Sequence, residues 1–403
     1  MPPSWQKGAS LTSWAPNEYG SRAADASLDA LRATRSDSVA VVPTWYMPNR
    51  MSPVIAPDPS RTPADAGVMH AMRAAKARGF RVVMKPHVDV ADGTWRGYLQ
   101  PTDVSGWFAS YRVFMEHYAD MAQRAHADIL VVGTEYESMT RHSLAWRELI
   151  ADLRAHFSGE LTYAANRLEE AEPIDFWDAL DFVGVDAYMP LATNDPNPSV
   201  AALVHAWHRR GYVDRLRTLA RRWRRPILFT EIGYYPHDGT AIEPNKVRWD
   251  WPVDAQPQTR AYEAFYEAFS DKPWVAGVYW WDWPAEPPAQ STSDYTPRGK
   301  PAQRVIEKWN RPPMLTLSVR QRASVVVLRG AAKRAGACPA VVRVRMERSL
   351  RRVWQTVGTP SARLRGGRFQ LSVRLSSGRY RASARLTGGC ARVTSGSHVF
   401  ARH

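Results

Sequence analysis

The sequence predicts an α/β protein: a (β/α)8 TIM barrel followed by a small all-β, immunoglobulin-like sandwich domain. Eight strand-like apolar runs alternate with segments of helical spacing through residues 8–283, the pattern of a parallel sheet with crossover helices. Eight such units within about 300 residues is the number that closes a barrel. After a boundary at Arg311-Pro312-Pro313, short alternating runs are separated by Gly and Ser turns, which is typical of a β-sandwich.

Each predicted barrel strand is a short apolar run of the kind that a parallel sheet covers on both faces. In chain order the runs are residues 8–14, 38–46, 81–88, 129–136, 161–167, 182–189, 226–234 and 275–283.

Between these runs, apolar residues recur at three- and four-residue intervals, which predicts amphipathic helices. The clearest stripe is Phe108, Tyr111, Met115, Tyr118 and Met121. A doubly wound sheet is the alternative fold, but it usually has a Gly-rich phosphate loop after its first strand. The sequence has no such loop, so the barrel is the better prediction. We therefore expect a catalytic barrel domain over residues 1–310 and an accessory domain over residues 311–403.

Two of the predicted strands end on a glutamate. Residues 129–132 run into Gly133-Thr134-Glu135, and residues 227–229 run into Thr230-Glu231. A carboxylate at the end of a buried strand is costly unless it is hydrogen-bonded or used. In a barrel, the ends of strands four and seven meet at one mouth, where two carboxyls can cleave a glycosidic bond. The alternative is that each Glu only caps its strand in an ion pair; the pair at these two strands favours catalysis.

Composition narrows the function classes. No apolar run approaches the roughly 20 residues that a membrane span needs, and residues 1–7 lack the apolar segment of a signal peptide. We expect a secreted or cell-surface protein whose leader is missing from this sequence, with a cytoplasmic location as the alternative. The 17 Trp residues favour a carbohydrate ligand, although most of them are expected to pack in the core.

Several further residues suit a substrate-binding role. The segment His87-Val88-Asp89 resembles a metal pair, but a third ligand is not evident, so hydrogen bonding to substrate is the better interpretation. Tyr188 and Tyr234 are expected either to orient Glu231 or to pack the mouth. No metal or cofactor is predicted. The full set of predicted substrate-binding residues is Trp14, Trp45, Lys85, His87, Asp89, Arg96, Asn166, Asp186, Tyr188, Tyr234, Trp281 and Trp283.

These motifs together resemble glycoside hydrolase family 113, best known for endo-β-1,4-mannanases. The resemblance extends over nearly all of residues 5–310. Its matching stretches are Lys7-Gly8, Thr44-Trp45-Tyr46, Lys85-Pro86-His87-Val88-Asp89, Gly133-Thr134-Glu135, Tyr163-Ala164-Ala165-Asn166, Gly184-Val185-Asp186-Ala187-Tyr188, Thr230-Glu231-Ile232-Gly233-Tyr234 and Trp280-Trp281-Asp282-Trp283.

The resemblance implies a retaining mechanism with Glu135 as acid/base and Glu231 as nucleophile. The wider group of such enzymes usually has Asn directly before the acid/base, where it contacts the sugar 2-hydroxyl. This chain has Thr134, and Asn166 is the candidate substitute. The expected function is therefore a β-mannanase. The alternatives are a retaining hydrolase of another β-glycan and a non-catalytic carbohydrate-binding barrel.

The predicted accessory domain is strongly basic. Of the 54 Lys and Arg residues, 20 lie in residues 311–403, whereas only one of the 39 acids, Glu347, lies there. That domain thus carries about +19 and residues 1–310 about −4. The excess either binds an anionic polymer or is a solvated surface. We favour the solvated surface and predict no nucleic-acid partner, because no nucleic-acid motif is present.

The two cysteines, Cys338 and Cys390, both fall in this domain and are predicted to form a disulfide. Closing that loop would contribute about 4 kcal/mol in the chain-entropy model. A disulfide argues for export from the cell. We expect the protein to be a monomer.

Overall fold

The computed structural model describes residues 5–246, 252–286, 293–311, 314–315, 317–322, 325–333, 341–350, 353–363, 368–387 and 393–402. The chain divides into two compact units. The first, here called the barrel unit, consists of Gln6–Ala268 and Trp274–Asn310. The second, here called the C-terminal unit, consists of Met1–Trp5, Phe269–Pro273 and Arg311–His403.

Eight parallel strands in the described part of the barrel unit close into a barrel, as the sequence predicts. They pair in chain order around the barrel, and the last strand pairs with the first. The strands are β1 (Gln6–Thr12), β2 (Ser38–Val42), β4 (Arg81–Met84), β6 (Ile129–Thr134), β7 (Glu160–Asn166), β8 (Val183–Asp186), β9 (Ile227–Ile232) and β10 (Val275–Pro284).

Two of the predicted strands are each broken into two. β2 ends before Pro43, and β4 ends before Lys85-Pro86; Pro lacks the N–H that a sheet ladder requires. The chain then continues as β3 (Thr44–Met47) and β5 (His87–Val90), which form a separate two-stranded parallel sheet. His87 and Asp89 are therefore on β5 of this small sheet and not on the barrel itself.

Helices follow the strands, and several begin at a side-chain cap. Ser21, Asp103 and Ser199 each accept a hydrogen bond from a backbone N–H of the first helical turn, which satisfies a donor that the helix itself leaves unpaired. The helices are α1 (Arg22–Ala33), α2 (Asp65–Ala77), α3 (Val104–Arg124), α4 (Ser143–His156), α5 (Arg167–Ala171), α6 (Val200–Arg209), α7 (Tyr212–Trp223), α8 (Ala255–Phe269) and α9 (Pro301–Asn310).

Side chains fill part of the barrel interior. Ala40, Val83, Ile129, Val131 and Leu228 belong to one buried cluster contributed by several strands. Such a lumen is a packed core and leaves only the strand ends open.

The strand ladder is irregular at several positions in the barrel. Its register shifts between Val131 and Thr134, between Val185 and Asp186, and between Val278 and Trp280. Bulges of this kind re-aim the side chains that follow them and are common next to active sites.

The described part of the C-terminal unit consists of two antiparallel sheets around one core. One sheet contains β11 (Met314–Leu315), β12 (Ser318–Arg322), β13 (Val325–Lys333) and β17 (Arg368–Arg374). The other contains β14 (Val341–Leu350), β15 (Val353–Gly358), β16 (Ser361–Arg363), β18 (Gly378–Thr387), β19 (Val393–Thr394) and β20 (His398–Arg402).

Buried and exposed side chains alternate along several of these strands, so that one face of each sheet packs in the core. Val326 and Leu328 of one sheet pack in the same buried cluster as Val342, Val344 and Ala384 of the other. Two sheets that share one core make a β-sandwich. An immunoglobulin-like strand arrangement stays a prediction. Cys338 and Cys390 lie outside the described residues, so the disulfide stays a prediction too.

Among the described residues, no helix combines the length and the apolar character needed to cross a bilayer. Export from the cell and the monomeric state also stay predictions.

Candidate active site

A cavity of about 360 Å³ lies at the carboxyl ends of the barrel strands. Both predicted catalytic glutamates line it, from the ends of β6 and β9. Its lining residues are His87, Trp95, Arg96, Tyr98, Glu135, Asn166, Arg167, Tyr188, Glu231, Tyr235, Asn245, Trp281 and Tyr295. A concave site rich in aromatic rings and charged groups, at this face of a barrel, is the expected location for catalysis.

Glu231 is a buried carboxylate with a donor on each oxygen. Its Oε1 accepts a hydrogen bond from Lys85 Nζ, and its Oε2 accepts one from Tyr188 OH at 2.8 Å. Hydrogen bonds and a cation at a carboxylate both favour the charged form. The two donors therefore orient the Glu231 carboxyl at the cavity.

A buried ion cluster lies behind Glu231. Lys85 Nζ is also 3.4 Å from Asp186 Oδ2, and the side chains of Lys85 and Asp186 are both fully buried. Thr230 Oγ1 donates to Asp186 Oδ1 at 2.6 Å. Burial raises the pKa of Asp186 well above its usual range, and the negative charge of Glu231 adds to the rise. The sequence assigned Lys85 and Asp186 to substrate binding. The structure places both outside the cavity lining, where Lys85 contacts Glu231 and Asp186 contacts Lys85.

Glu135 adopts a left-handed backbone conformation, with φ of 57°. This conformation is uncommon for a residue with a side chain and persists where the surroundings impose it. Its N–H donates to Ala164 O, and the next residue, Tyr136, donates through its N–H to Tyr163 OH at 2.8 Å. Tyr136 OH accepts from Val88 N. These bonds to neighbouring strands fix the strand end and direct Glu135 to the cavity.

The surroundings of Glu135 differ from those of Glu231. Burial raises the pKa of Glu135 above its ordinary value, and the negative charge of Glu231 raises it further. Arg96, a hydrogen bond from Trp95 Nε1 to Glu135 Oε2 at 3.1 Å, and Lys85 act in the opposite direction. The net effect raises the pKa of Glu135, whereas the Glu231 oxygens are held by a cation and a hydroxyl donor. Two carboxyls in such different electrostatic surroundings are the usual signature of an acid and a nucleophile.

His87 lies close to Glu231. Its ring is buried and stacks on Trp281 with 5.9 Å between ring centroids, and its Nε2 is 3.6 Å from Glu231 Oε1. Burial lowers the pKa of His87 well below its usual value, and Arg96 and Lys85 lower it further, so the imidazole is neutral. Neither ring nitrogen has a hydrogen-bond partner among the described residues. A neutral ring with free donor and acceptor atoms suits a sugar hydroxyl.

Arg96 lines the cavity and is anchored by Asp89. Arg96 Nη2 is 2.6 Å from Asp89 Oδ1, so Asp89 holds the guanidinium and does not itself line the cavity. Burial works against the charge of Arg96, but the neighbouring carboxylates of Asp89 and Glu135 outweigh it and raise the pKa of Arg96.

At the end of β7, Asn166 and Arg167 both line the cavity. Asn166 N donates to Glu170 Oε2 at 2.5 Å, and Arg167 has a left-handed φ of 55°. Thr134, directly before Glu135, is buried with no hydrogen-bond partner for its Oγ1 among the described residues, and it is not part of the lining. Of Thr134 and Asn166, only Asn166 lines the cavity and is placed to reach a substrate.

Comparison with known proteins agrees with this geometry. A sequence model of glycoside hydrolase family 113 matches residues 12–300. The chain belongs to glycoside hydrolase family 113. A direct search of curated proteins finds no match.

Solved structures of family 113 enzymes superpose on this chain. The GH113 β-mannanase AaManA from Alicyclobacillus acidocaldarius, in complex with ManMIm, is 30% identical with a TM-score of 0.69, over 76% of this chain and 97% of that one. A complex of a GH113 β-1,4-mannanase is 28% identical with a TM-score of 0.68, over 77% of this chain and 99% of that one.

Not every aromatic residue predicted to contact sugar lies on the cavity of this family 113 barrel. Trp45 packs against Phe114 and Tyr118 of α3. Trp283 is fully buried and donates through Nε1 to Ser27 O of α1. Tyr234 is fully buried as well. Core packing therefore accounts for the position of these three rings.

Trp14 lies next to the cavity and Trp281 on it. Trp14 is 46% exposed, and its ring meets that of Trp281 edge-on at 6.4 Å between centroids. An exposed indole beside a lining indole can extend a sugar-binding surface beyond the cavity itself.

Six lining residues were not in the predicted set: Trp95, Tyr98, Arg167, Tyr235, Asn245 and Tyr295. Trp95 and Tyr98 flank the predicted Arg96 in a loop whose length and aromatic content are visible in the sequence. Asn245 and Tyr295 lie in loops without regular spacing, where only the fold reveals proximity. Among the described residues, no group of three or more His, Cys, Asp or Glu side chains is arranged to hold a metal ion.

Trp95→Phe is expected to move the basic limb of the kcat/KM pH profile to higher pH. The substitution keeps a ring but removes the N–H that stabilises the Glu135 carboxylate, so the pKa of Glu135 rises and its acid form persists to higher pH. Initial rates between pH 4 and 10 measure the shift. Tyr98→Phe, in the same loop, is the control and should leave the limb in place. A limb at unchanged or lower pH in Trp95→Phe would refute the role of this hydrogen bond.

Proposed function

We propose that this chain is a retaining endo-β-1,4-mannanase, in which Glu135 is the acid/base and Glu231 the nucleophile. The observation that carries the proposal is the placement of both carboxyls on one cavity in opposite electrostatic surroundings. The likeness to solved GH113 β-mannanases supports the substrate. Residues 1–310 form the proposed catalytic domain, and residues 311–403 the proposed accessory domain.

The first step forms a bond between Glu231 and the anomeric carbon. As the Glu231 carboxylate attacks, the Glu135 carboxyl transfers its proton to the glycosidic oxygen, and the shortened glycan leaves as an alcohol. Lys85 and Tyr188 orient the attacking carboxylate. In the second step, Glu135 takes a proton from water, the water oxygen attacks the anomeric carbon, and Glu231 is released as an anion.

The remaining cavity residues suit sugar recognition. His87 and Asn166 offer hydrogen-bonding groups, and Arg96 adds a buried Nη1 that has no partner among the described residues. Trp281 offers an indole face at the cavity and Trp14 a second one beside it. We propose that Asn166 makes the 2-hydroxyl contact that Thr134 does not reach.

The test is a comparison of reduced and unreduced hexasaccharides of β-1,4-mannose, β-1,4-glucose and β-1,4-xylose, with products separated by size. We expect internal cleavage of the mannose oligomer at a kcat/KM at least about tenfold above the other two, about 1.4 kcal/mol of discrimination. A preference for glucose or xylose would replace the mannanase assignment with another β-glycanase. No cleavage of any β-glycan would support a binding barrel.

Proton NMR of the same reaction in its first minutes gives the stereochemistry. Double displacement requires that the β-anomer of the new reducing end forms first and mutarotates later. Initial formation of the α-anomer would show inversion and refute the covalent mechanism, whichever glycan is cleaved.

A further inference from the structure

A second cavity lies within the C-terminal unit. It is a groove of about 760 Å³ lined by Arg329, Gly330, Ala362, Arg363, Arg368, Phe369 and Gln370. These residues come from β13 and β17 of one sheet and β16 of the other, and β16 contacts β17. We call this set of residues the arginine groove.

Three arginines line the arginine groove. Arg329, Arg363 and Arg368 are all exposed, and Arg329 is positioned by a hydrogen bond from its Nε to Gln370 Oε1 at 2.7 Å. Phe369 also lines the groove and is only 5% exposed. The groove thus combines three exposed arginines with a largely buried aromatic ring.

The surrounding sequence has almost no anions to neutralise these arginines. Residues 311–403 contain a single Asp or Glu, Glu347. Its carboxylate lies 2.8 Å from Arg381 Nε and 3.5 Å from Arg345 Nη2. The arginines of the groove therefore have no carboxylate side chain available from residues 311–403. Like charges held close together without a counter-charge favour an external anion.

Other arginines of the unit form a flatter surface. On the outer face of the sheet that contains β14 and β18, Arg343 lies directly opposite Arg385, and both are exposed. This face carries charge, and neither of these two arginines lines the arginine groove. Variants of this flat surface can therefore show whether binding depends on positive charge alone or on the shape of the groove.

We propose that the arginine groove is a binding site for the carboxylate groups of an acidic polysaccharide. Arg presents a planar fork that matches a carboxylate with two hydrogen bonds, and three such forks engage neighbouring acidic sugars of one chain. A glycan is favoured over single-stranded nucleic acid because the described lining offers no exposed aromatic ring for base stacking. The choice of a glycan also agrees with the glycoside hydrolase family of the chain. The site is independent of the cleavage reaction.

The experiment uses the full-length chain and three immobilised polymers: polygalacturonate, neutral dextran and single-stranded DNA. We expect binding to polygalacturonate that weakens with added salt, and no binding to dextran. The triple variant R329Q/R363Q/R368Q should lose at least tenfold in affinity, about 1.4 kcal/mol. The control R343Q/R385Q removes two charges from the flat surface and should lose less than about threefold.

A second variant, R329K/R363K/R368K, keeps the charge but removes the forks and should also bind more weakly than the unaltered chain. Hydrolysis by the barrel unit provides an independent readout and should be unchanged in all three variants, so failure of the binding site and failure of the proposed catalytic function are separable. Equal losses in the groove and control variants would overturn the proposal in favour of a diffuse basic surface. Tighter, groove-dependent binding of DNA than of polygalacturonate would overturn it in favour of a nucleic-acid site.

Discussion

Glu231→Ala is expected to lower kcat by at least about 10³-fold on every glycoside, equivalent to about 4 kcal/mol of barrier. The substitution removes the carboxylate that forms the covalent bond, so an activated leaving group cannot compensate. Steady-state rates on a β-1,4-mannan oligosaccharide and on a dinitrophenyl β-mannoside measure the loss.

Glu135→Ala should behave differently on the same two substrates. Without the acid, hydrolysis of the oligosaccharide should fall by about 10²–10⁴-fold. The dinitrophenyl substrate needs no proton for its leaving group, so formation of the glycosyl-enzyme should be largely spared.

Azide distinguishes the two roles directly. In Glu135→Ala, azide attacks the glycosyl-enzyme and should give the β-mannosyl azide. In Glu231→Ala, it attacks the substrate from the opposite face and should give the α-azide. Glu137→Ala is the control, because Glu137 is exposed two residues beyond Glu135 and should keep full activity. Identical azide products from the two variants would contradict the assigned roles.

The second large effect is expected on stability. Lys85→Met should lower the free energy of unfolding by about 3–5 kcal/mol, because it leaves the buried Glu231 carboxylate without its cation. The same substitution at Lys76, whose pair with Asp128 is partly exposed, should cost about 1 kcal/mol or less. Urea unfolding followed by circular dichroism compares the two variants.

The double variant Lys85→Met/Glu231→Gln tests whether the unpaired Glu231 carboxylate causes the loss of stability in Lys85→Met. Removing the anion together with the cation should restore part of the stability lost in Lys85→Met, which is the coupling that a direct pair requires. Asp186→Asn should be milder than Lys85→Met, because the raised pKa of Asp186 already favours its neutral form. Equal destabilisation by the Lys85 and Lys76 substitutions would refute the structural role of the buried cluster.

The local sequence pattern predicts much of the barrel. Each of the eight apolar runs overlaps one barrel strand, and two of them, 38–46 and 81–88, continue into the separate two-stranded sheet. A buried parallel strand needs several consecutive apolar residues, and this requirement is local, so the pattern alone is sufficient. The position of Glu135 and Glu231 directly at strand ends is equally local, and strand order then places both at one mouth. The sequence by itself thus determined the fold class and the two residues that line the cavity as a carboxyl pair.

The tertiary structure decided which other polar and aromatic residues reach that cavity. Lys85 and Asp186 occupy strand ends as Glu231 does, yet they lie behind it. Trp45 and Trp283 are as suited to stacking on sugar as Trp281, yet they pack against helices. Side-chain direction beyond a strand end depends on bulges and on partners from distant segments, and an indole suits a core as well as a sugar. The contact of Trp95 with Glu135 spans 40 residues of sequence, and only the closed barrel brings those two side chains together.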